Sequence, residues 1–156
     1  MSEDNDAFSF EGKNLDNLLK ALKDNMKRVR VGILGGKAAR TGGTPNNATI
    51  GAFHEYGTSK TPQRSFLRVP IAEHLQERLT KAGAFTKEEL QEVAKTKSLL
   101  PWLKKIGIVA EKIVSDAFAT KGFGKWKNHA PGYENNTGQV LVDTQQLRNS
   151  ITSEVK

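Results

Sequence analysis

The chain has no cysteine, which excludes a disulfide framework, cysteine-ligated zinc and a thiol nucleophile, and fits a reducing compartment. It also has no long apolar run. The longest aliphatic stretch lies around Ile106–Ala110, far short of the about 20 residues that span a bilayer, so no membrane role is expected. The first residues, Met1-Ser2-Glu3-Asp4-Asn5-Asp6, are acidic and polar, the opposite of a signal-peptide start. A soluble protein made in the cytoplasm is the expectation. Acids are outnumbered, 17 against 24 Lys and Arg, leaving a net charge of +7 that favours contact with anions such as nucleic acid. Yet no consecutive basic run resembles a DNA-binding arm. The excess is spread over Lys60, Arg64 and Arg68, and over Lys104, Lys105, Lys112, Lys121, Lys125 and Lys127. Such spacing reads as a solvated basic surface, capable at most of weak, sequence-independent contact with DNA.

What is present suits one domain of 156 residues. Leu15, Leu18, Leu19, Leu22 and Met26 fall at helical spacing, predicting an amphipathic helix over 14–26 with Asn14 as its cap. Val29, Val31 and Ile33 alternate with Arg28 and Arg30 and predict a strand; Ala7–Phe10 reads as a short partner strand. The segments 35–47 and 120–138 are rich in Gly, Asn and Pro and read as long loops, and residues 1–12 as a mobile end. Ile50, Phe53 and Tyr56 share a helical face that Gly57 would terminate. A helix from Pro70 carries Ile71, Leu75 and Leu79; Thr86 and Glu89 form a capping-box pattern; and Pro101 opens a helix to about Ala119. Gln139–Asp143 reads as a strand, Thr144 as the cap of a short helix holding Leu147, and Ile151–Val155 as a closing strand. The fold class expected is therefore α+β, a mostly antiparallel sheet packed against two or three amphipathic helices.

Tests for chemistry return little. His54-Glu55 starts like a zinc-protease motif, but Thr58 stands where the second histidine belongs. His54, His74 and His129 lack ligand spacing, and His74 beside Glu73 and Glu77 suits a surface ion pair. Gly32-Ile33-Leu34-Gly35-Gly36 fits neither a dinucleotide fingerprint nor a P-loop. Glu88 and Glu89 sit where a helix dipole explains them. The expectation is a protein that is not an enzyme, with no cofactor and no metal.

Two stretches are more specific: Ile50-Gly51-Ala52-Phe53-His54-Glu55-Tyr56-Gly57-Thr58 and Thr61-Pro62-Gln63-Arg64-Ser65-Phe66-Leu67-Arg68. With Val29–Ile33 before them, and Trp126, Val140-Leu141-Val142-Asp143-Thr144 and Leu147–Ile151 after, they form three blocks in order over about 28–156. This arrangement resembles the bacteriophage neck and tail-completion proteins, a broad family that includes Mu-like virion morphogenesis proteins and the tail-completion proteins of lambda-like phages. Gln145 departs from the glycine usual after Asp-Thr, so a helix start is expected there instead of a left-handed corner.

The resemblance implies a structural subunit of a homo-oligomeric, hexameric ring in the head–tail neck, assembled in the host cytoplasm. Genome DNA would pass through it with weak non-specific contact, and adjacent connector and tail proteins would be its partners. The residues themselves suggest that Glu55 pairs with Arg64 or Arg68 across the turn holding Gly57 and Pro62. Phe53, Tyr56 and Phe66 read as core aromatics. Glu55, Gly57, Phe66, Trp126 and Asp143 are the structural motif residues, whereas Arg64, Arg68, Lys37 and Arg40 are the interface candidates. A tail-terminator ring, a small basic nucleic-acid-binding domain and, last, a hydrolase using His54 and Glu55 are the alternatives.

Overall fold

The computed structural model describes residues 12–24, 27–133, 140–141 and 145–156. Along the chain come α1 (Gly12–Asp24), β1 (Val29–Ile33), a 3-10 turn (Gly35–Ala38), α2 (Asn47–Tyr56), α3 (Arg68–Lys81), α4 (Lys87–Thr96), α5 (Leu100–Ala119), α6 (Gln146–Asn149) and β2 (Ile151–Val155). Thr86 caps α4 as its spacing predicts, accepting from Glu89 N–H at 3.3 Å, and Pro101 lies in the first turn of α5. The Glu89 carboxylate reaches back one residue further than a capping box requires, to Phe85 N–H at 2.9 Å.

A sheet-dominated α+β fold is overturned. Among the described residues the sheet has two strands, β1 and β2, antiparallel with Val29 opposite Val155 and Ile33 opposite Ile151. Helices hold over half of the described residues. The error traces to a short apolar run. Val140 is 1% exposed and Leu141 packs against the same core, but Leu141 sits in a turn at φ 63°, outside any strand conformation. Burial alone accounts for the apolar character that resembles a strand. Val142 and Asp143, Thr144 as a cap, and the strand at Ala7–Phe10 lie outside the described residues.

α5 is the spine, and a core cluster forms at each end. Near its C-terminus Val114, Ala117 and Phe118 pack with Phe66, Trp126, Val140 and Leu147. Near its N-terminus Leu99 joins Leu18 and Ala21 of α1 and Val93 and Ala94 of α4, with Trp102 and Leu103 alongside. Between them Gly107 lets the two-stranded sheet lie close, since a Cβ there would sit 2.6 Å from Ser153 Oγ. α1 begins at Gly12, so Asn14 falls inside the helix and does not cap it. Only Leu18 of its leucines is buried; Leu15, Leu19 and Leu22 remain 44–48% exposed. Met26 lies outside the described residues.

Candidate functional site

The loop after β1 is tied down from α2. Asn46 caps that helix, its side chain accepting from Thr49 N–H at 2.9 Å. Asn47, 3% exposed, donates through Nδ2 to the carbonyls of Ala39 (2.8 Å) and Lys37 (3.4 Å). At the other end α2 stops at Gly57, whose φ of 76° favours glycine and where a Cβ would lie 3.0 Å from Gln63 N. The chain turns over Thr58, whose Oγ1 accepts from Lys60 N–H and Thr61 N–H, and comes back to donate from Arg64 N–H to His54 O at 2.7 Å.

This return delivers Ser65–Arg68 to Glu55. The carboxylate, 5% exposed, accepts from Ser65 Oγ (2.6 Å), Phe66 N–H (3.0 Å), Leu67 N–H (3.0 Å) and Arg68 N–H (3.1 Å). Glu55 therefore closes the N-terminus of α3, satisfying orphan donors with a charge of the sign that the helix dipole favours. The side-chain pairing expected from sequence is a minor part of this. Arg68 Nε stands 3.8 Å from Glu55 Oε1 with its side chain 59% exposed, and Arg64 does not pair with Glu55 at all. Arg64 is 5% exposed and donates from Nε to Lys127 O and from a terminal nitrogen to Asn128 O, both at 3.0 Å. It is a clasp between two loops and offers a neighbour little surface.

Trp126 completes the corner, donating from Nε1 to Ser65 O at 3.0 Å while its ring packs edge-on against Phe118. Phe66 is 2% exposed, 5.2 Å from Phe118 between ring centroids. The expectation of three core aromatics is corrected for the other two: Phe53 is 47% and Tyr56 68% exposed, and the Arg68 guanidinium lies 5.8 Å above the Tyr56 ring. The helical face carrying Ile50 turns into the core, whereas Phe53 and Tyr56 stand outside it. The three sequence blocks nevertheless meet: a Cβ on Gly51 would touch Ile33, Phe66 and Leu147 at once. Gln145 adopts the left-handed conformation at φ 60° without being glycine, so the left-handed corner is kept at the start of α6. Asp143 lies outside the described residues.

Beside this corner opens a cleft of about 360 Å³. Arg40, Lys60, Arg64, His54, His129 and Tyr133 line it, together with the apolar Ile50, Pro62, Leu141 and Leu147. No carboxylate is among its described lining residues. His129 and Tyr133 stack at 4.8 Å between ring centroids. Burial, with a smaller push from Arg64, lowers the His54 pKa from 6.5 to about 4, so the ring is neutral near pH 7. Its Nδ1 is buried without a hydrogen-bond partner among the described residues. Lys37 is exposed on the 3-10 turn, and Arg40 is half-buried at the cleft.

Adjacent in sequence, His54 and Glu55 serve different neighbours: the ring faces the cleft and the carboxylate caps α3. Ser65 Oγ donates to Glu55 and not to the imidazole, so these residues do not form a nucleophile–histidine–carboxylate relay. No cluster of three His, Asp or Glu suited to a metal ion occurs among the described residues. His74 is 4.0 Å from Glu73, and its ring also stacks on Phe123. Asn47 and the true role of Arg64 carry no signal in the sequence, because each depends on backbone carbonyls brought in by the fold, while the Ser65 hydroxyl depends on the buried Glu55 carboxylate. Compared with protein-family models, curated proteins and solved structures, the chain matches none.

Proposed function

We propose that this chain is a structural subunit of the ring joining head to tail in a tailed bacteriophage, through which genome DNA passes. The observation that carries the reading is the convergence of the three resemblance blocks. Val29–Ile33, Ile50–Arg68 and Trp126–Ile151 are far apart in sequence, yet residues from all three pack around the Glu55 corner. A shared folding unit is what such spaced blocks would encode. Around this corner lie exposed residues of the type that anchors protein interfaces: Phe53, Tyr56 and Arg68. Lys37 and Arg40 lie on the loop that Asn47 holds against α2. Hexameric order, neighbouring connector and tail proteins, location in the virion neck and weak contact with passing DNA belong to the same proposal.

Imaging of the virion tests it by position and copy number. Six copies around the channel at the head–tail joint are expected. Copies found elsewhere refute the neck assignment, and copies capping the tail tube favour the tail-terminator alternative. The net charge of +7 favours the second reading, a small nucleic-acid-binding domain. That reading requires steeply salt-dependent binding to short duplexes with no ring formed.

A further inference from the structure

Among its described lining residues, the cleft beside the Glu55 corner has an unbalanced charge. Three side chains of fixed positive charge, Arg40, Lys60 and Arg64, and two imidazoles meet there, with no acid among the described lining residues. Elsewhere several of the described cations have acids beside them. Arg78 and Lys112 share Asp116, Lys105 meets Glu89, and Lys125 meets Glu73. Arg40 and Lys60 form no ion pair with a described residue. The cleft is also half apolar, through Ile50, Pro62, Leu141 and Leu147, which suits a side chain with an apolar body better than a bare phosphate.

One stretch of this polypeptide has the complementary chemistry. Residues 2–11, Ser-Glu-Asp-Asn-Asp-Ala-Phe-Ser-Phe-Glu, hold Glu3, Asp4, Asp6 and Glu11, no Lys or Arg, and two phenylalanines. They join the N-terminus of α1, which packs on α4 at the start of α5, whereas the cleft lies by the cluster at the far end of α5. Twenty residues of helix put about 30 Å between those ends. An acidic segment joined at one end of α5 and a basic cleft at the other suit a head-to-tail contact, the heterologous kind that closes rings.

We infer that the cleft lined by Arg40, Lys60, Arg64 and Tyr133 receives the acidic, phenylalanine-bearing segment 2–11 of a neighbouring copy. The inference rests on the ring-subunit reading and names the contact through which the ring would close. Carboxylates of the segment meet Arg40 and Lys60, and one phenylalanine enters the apolar part of the cleft. Leu15, Leu19 and Leu22, exposed on the helix that follows the segment, then lie at the same junction.

The test uses two full-length variants and sedimentation velocity over a range of concentrations. One variant carries Glu3→Gln, Asp4→Asn, Asp6→Asn and Glu11→Gln. The other carries Arg40→Glu and Lys60→Glu and leaves the structural Arg64 in place; circular dichroism verifies that both fold. Each alone is expected to self-associate about 100-fold more weakly than the wild type, from the loss of close charge pairs. Mixed in equal amounts, they should form dimers and nothing larger, because one intact segment meets one intact cleft. Association of both variants at wild-type strength overturns the inference and leaves the ring reading standing. A wild type that stays monomeric at every concentration overturns it and removes self-assembly in solution as well. Weak variants that fail to pair when mixed show that the two surfaces do not meet, which also overturns it. So does a labelled 20-base-pair duplex that binds the wild type and not the cleft variant while both variants associate normally, since that assigns the cleft to DNA.

Discussion

Replacing Glu55 by alanine strips the corner of its common acceptor. Four donors converge on this carboxylate: Ser65 Oγ and the amides of Phe66, Leu67 and Arg68. Arg68 is exposed and water can serve its amide, and the Ser65 hydroxyl can rotate to another partner. Phe66 N–H is buried and Leu67 N–H partly so; each costs about 1–3 kcal/mol when left unsatisfied. Loss of a negative charge at the N-terminus of α3 adds about 0.3–2 kcal/mol. The expected loss is about 2–8 kcal/mol, a large share of the about 5–15 kcal/mol that holds a typical domain together. Glu55→Gln keeps one oxygen and should lose about 2 kcal/mol, which keeps the comparison measurable if the alanine variant unfolds. Arg68→Ala removes a surface pair at 3.8 Å and an exposed contact over the Tyr56 ring, and should lose about 1 kcal/mol. Urea unfolding followed by far-ultraviolet circular dichroism measures all three, with an unchanged m-value as the check on two-state behaviour. An Arg68→Ala loss equal to that of Glu55→Ala would make the charge pair, not the cap, the source of stability and refute the reasoning.

Further predictions concern pH and glycine. His54 titrates at about 4 in the folded chain against 6.5 unfolded, so the unfolded state binds the extra proton between those values. Stability is then fully present above about pH 6.5 and falls as the pH drops towards 4. The full interval corresponds to about 3 kcal/mol, which partial solvent access reduces to about 1–2 kcal/mol. Urea midpoints at pH 4.5, 5.5 and 7 should flatten in a His54→Gln variant, and an unchanged slope would count against a buried neutral imidazole. Gly122 has φ 65°, and a Cβ there would come within 2.1 Å of Trp126 Nε1. Gly122→Ala should therefore displace the indole from Ser65 O and cost about 2–4 kcal/mol, seen as a shifted Trp emission and a lower Tm. Gly57→Ala, with φ 76° and Gln63 N at 3.0 Å, should cost about 1–2 kcal/mol by the same melting assay.

Local signals in the sequence are legible where they depend on a few adjacent residues. The Thr86 cap, Pro101 in the first turn of α5, Gly57 ending α2 and the β-strand at Val29 all rest on spacing or backbone chemistry within one turn or one strand. Two kinds of residue content mislead. Apolar content suggests sheet at Val140 and Leu141, although a buried turn needs the same residues. Aromatic content suggests core at Phe53 and Tyr56, although α2 buries the face bearing Gly51 and Glu55. Glu55 itself stands out in the sequence, but as half of a charge pair. Its backbone partners lie 11 to 13 residues downstream, and backbone amides leave no mark in a sequence. Arg64 shows the same limit, since its acceptors are carbonyls more than 60 residues away.

In the proposed ring the arginine clasp would bear on assembly as well as on stability. A ring closes only if each subunit holds its two unlike contact surfaces at a fixed angle; a drifting angle gives open or irregular chains. Here the cleft is framed by the 58–64 turn and the 127–133 turn, which Arg64 joins by two hydrogen bonds, and Trp126 ties the second turn to Ser65. The opposite end is fixed by Leu18 and Ala21 against α4 and the start of α5. One uninterrupted helix connects the two ends, so a change of angle requires bending α5 or repacking a core. Arg64 is thus better placed to set the shape of the contact than to make it. A neighbour would meet Arg40, Lys60 and Tyr133, and the geometry it meets would depend on Arg64 behind them.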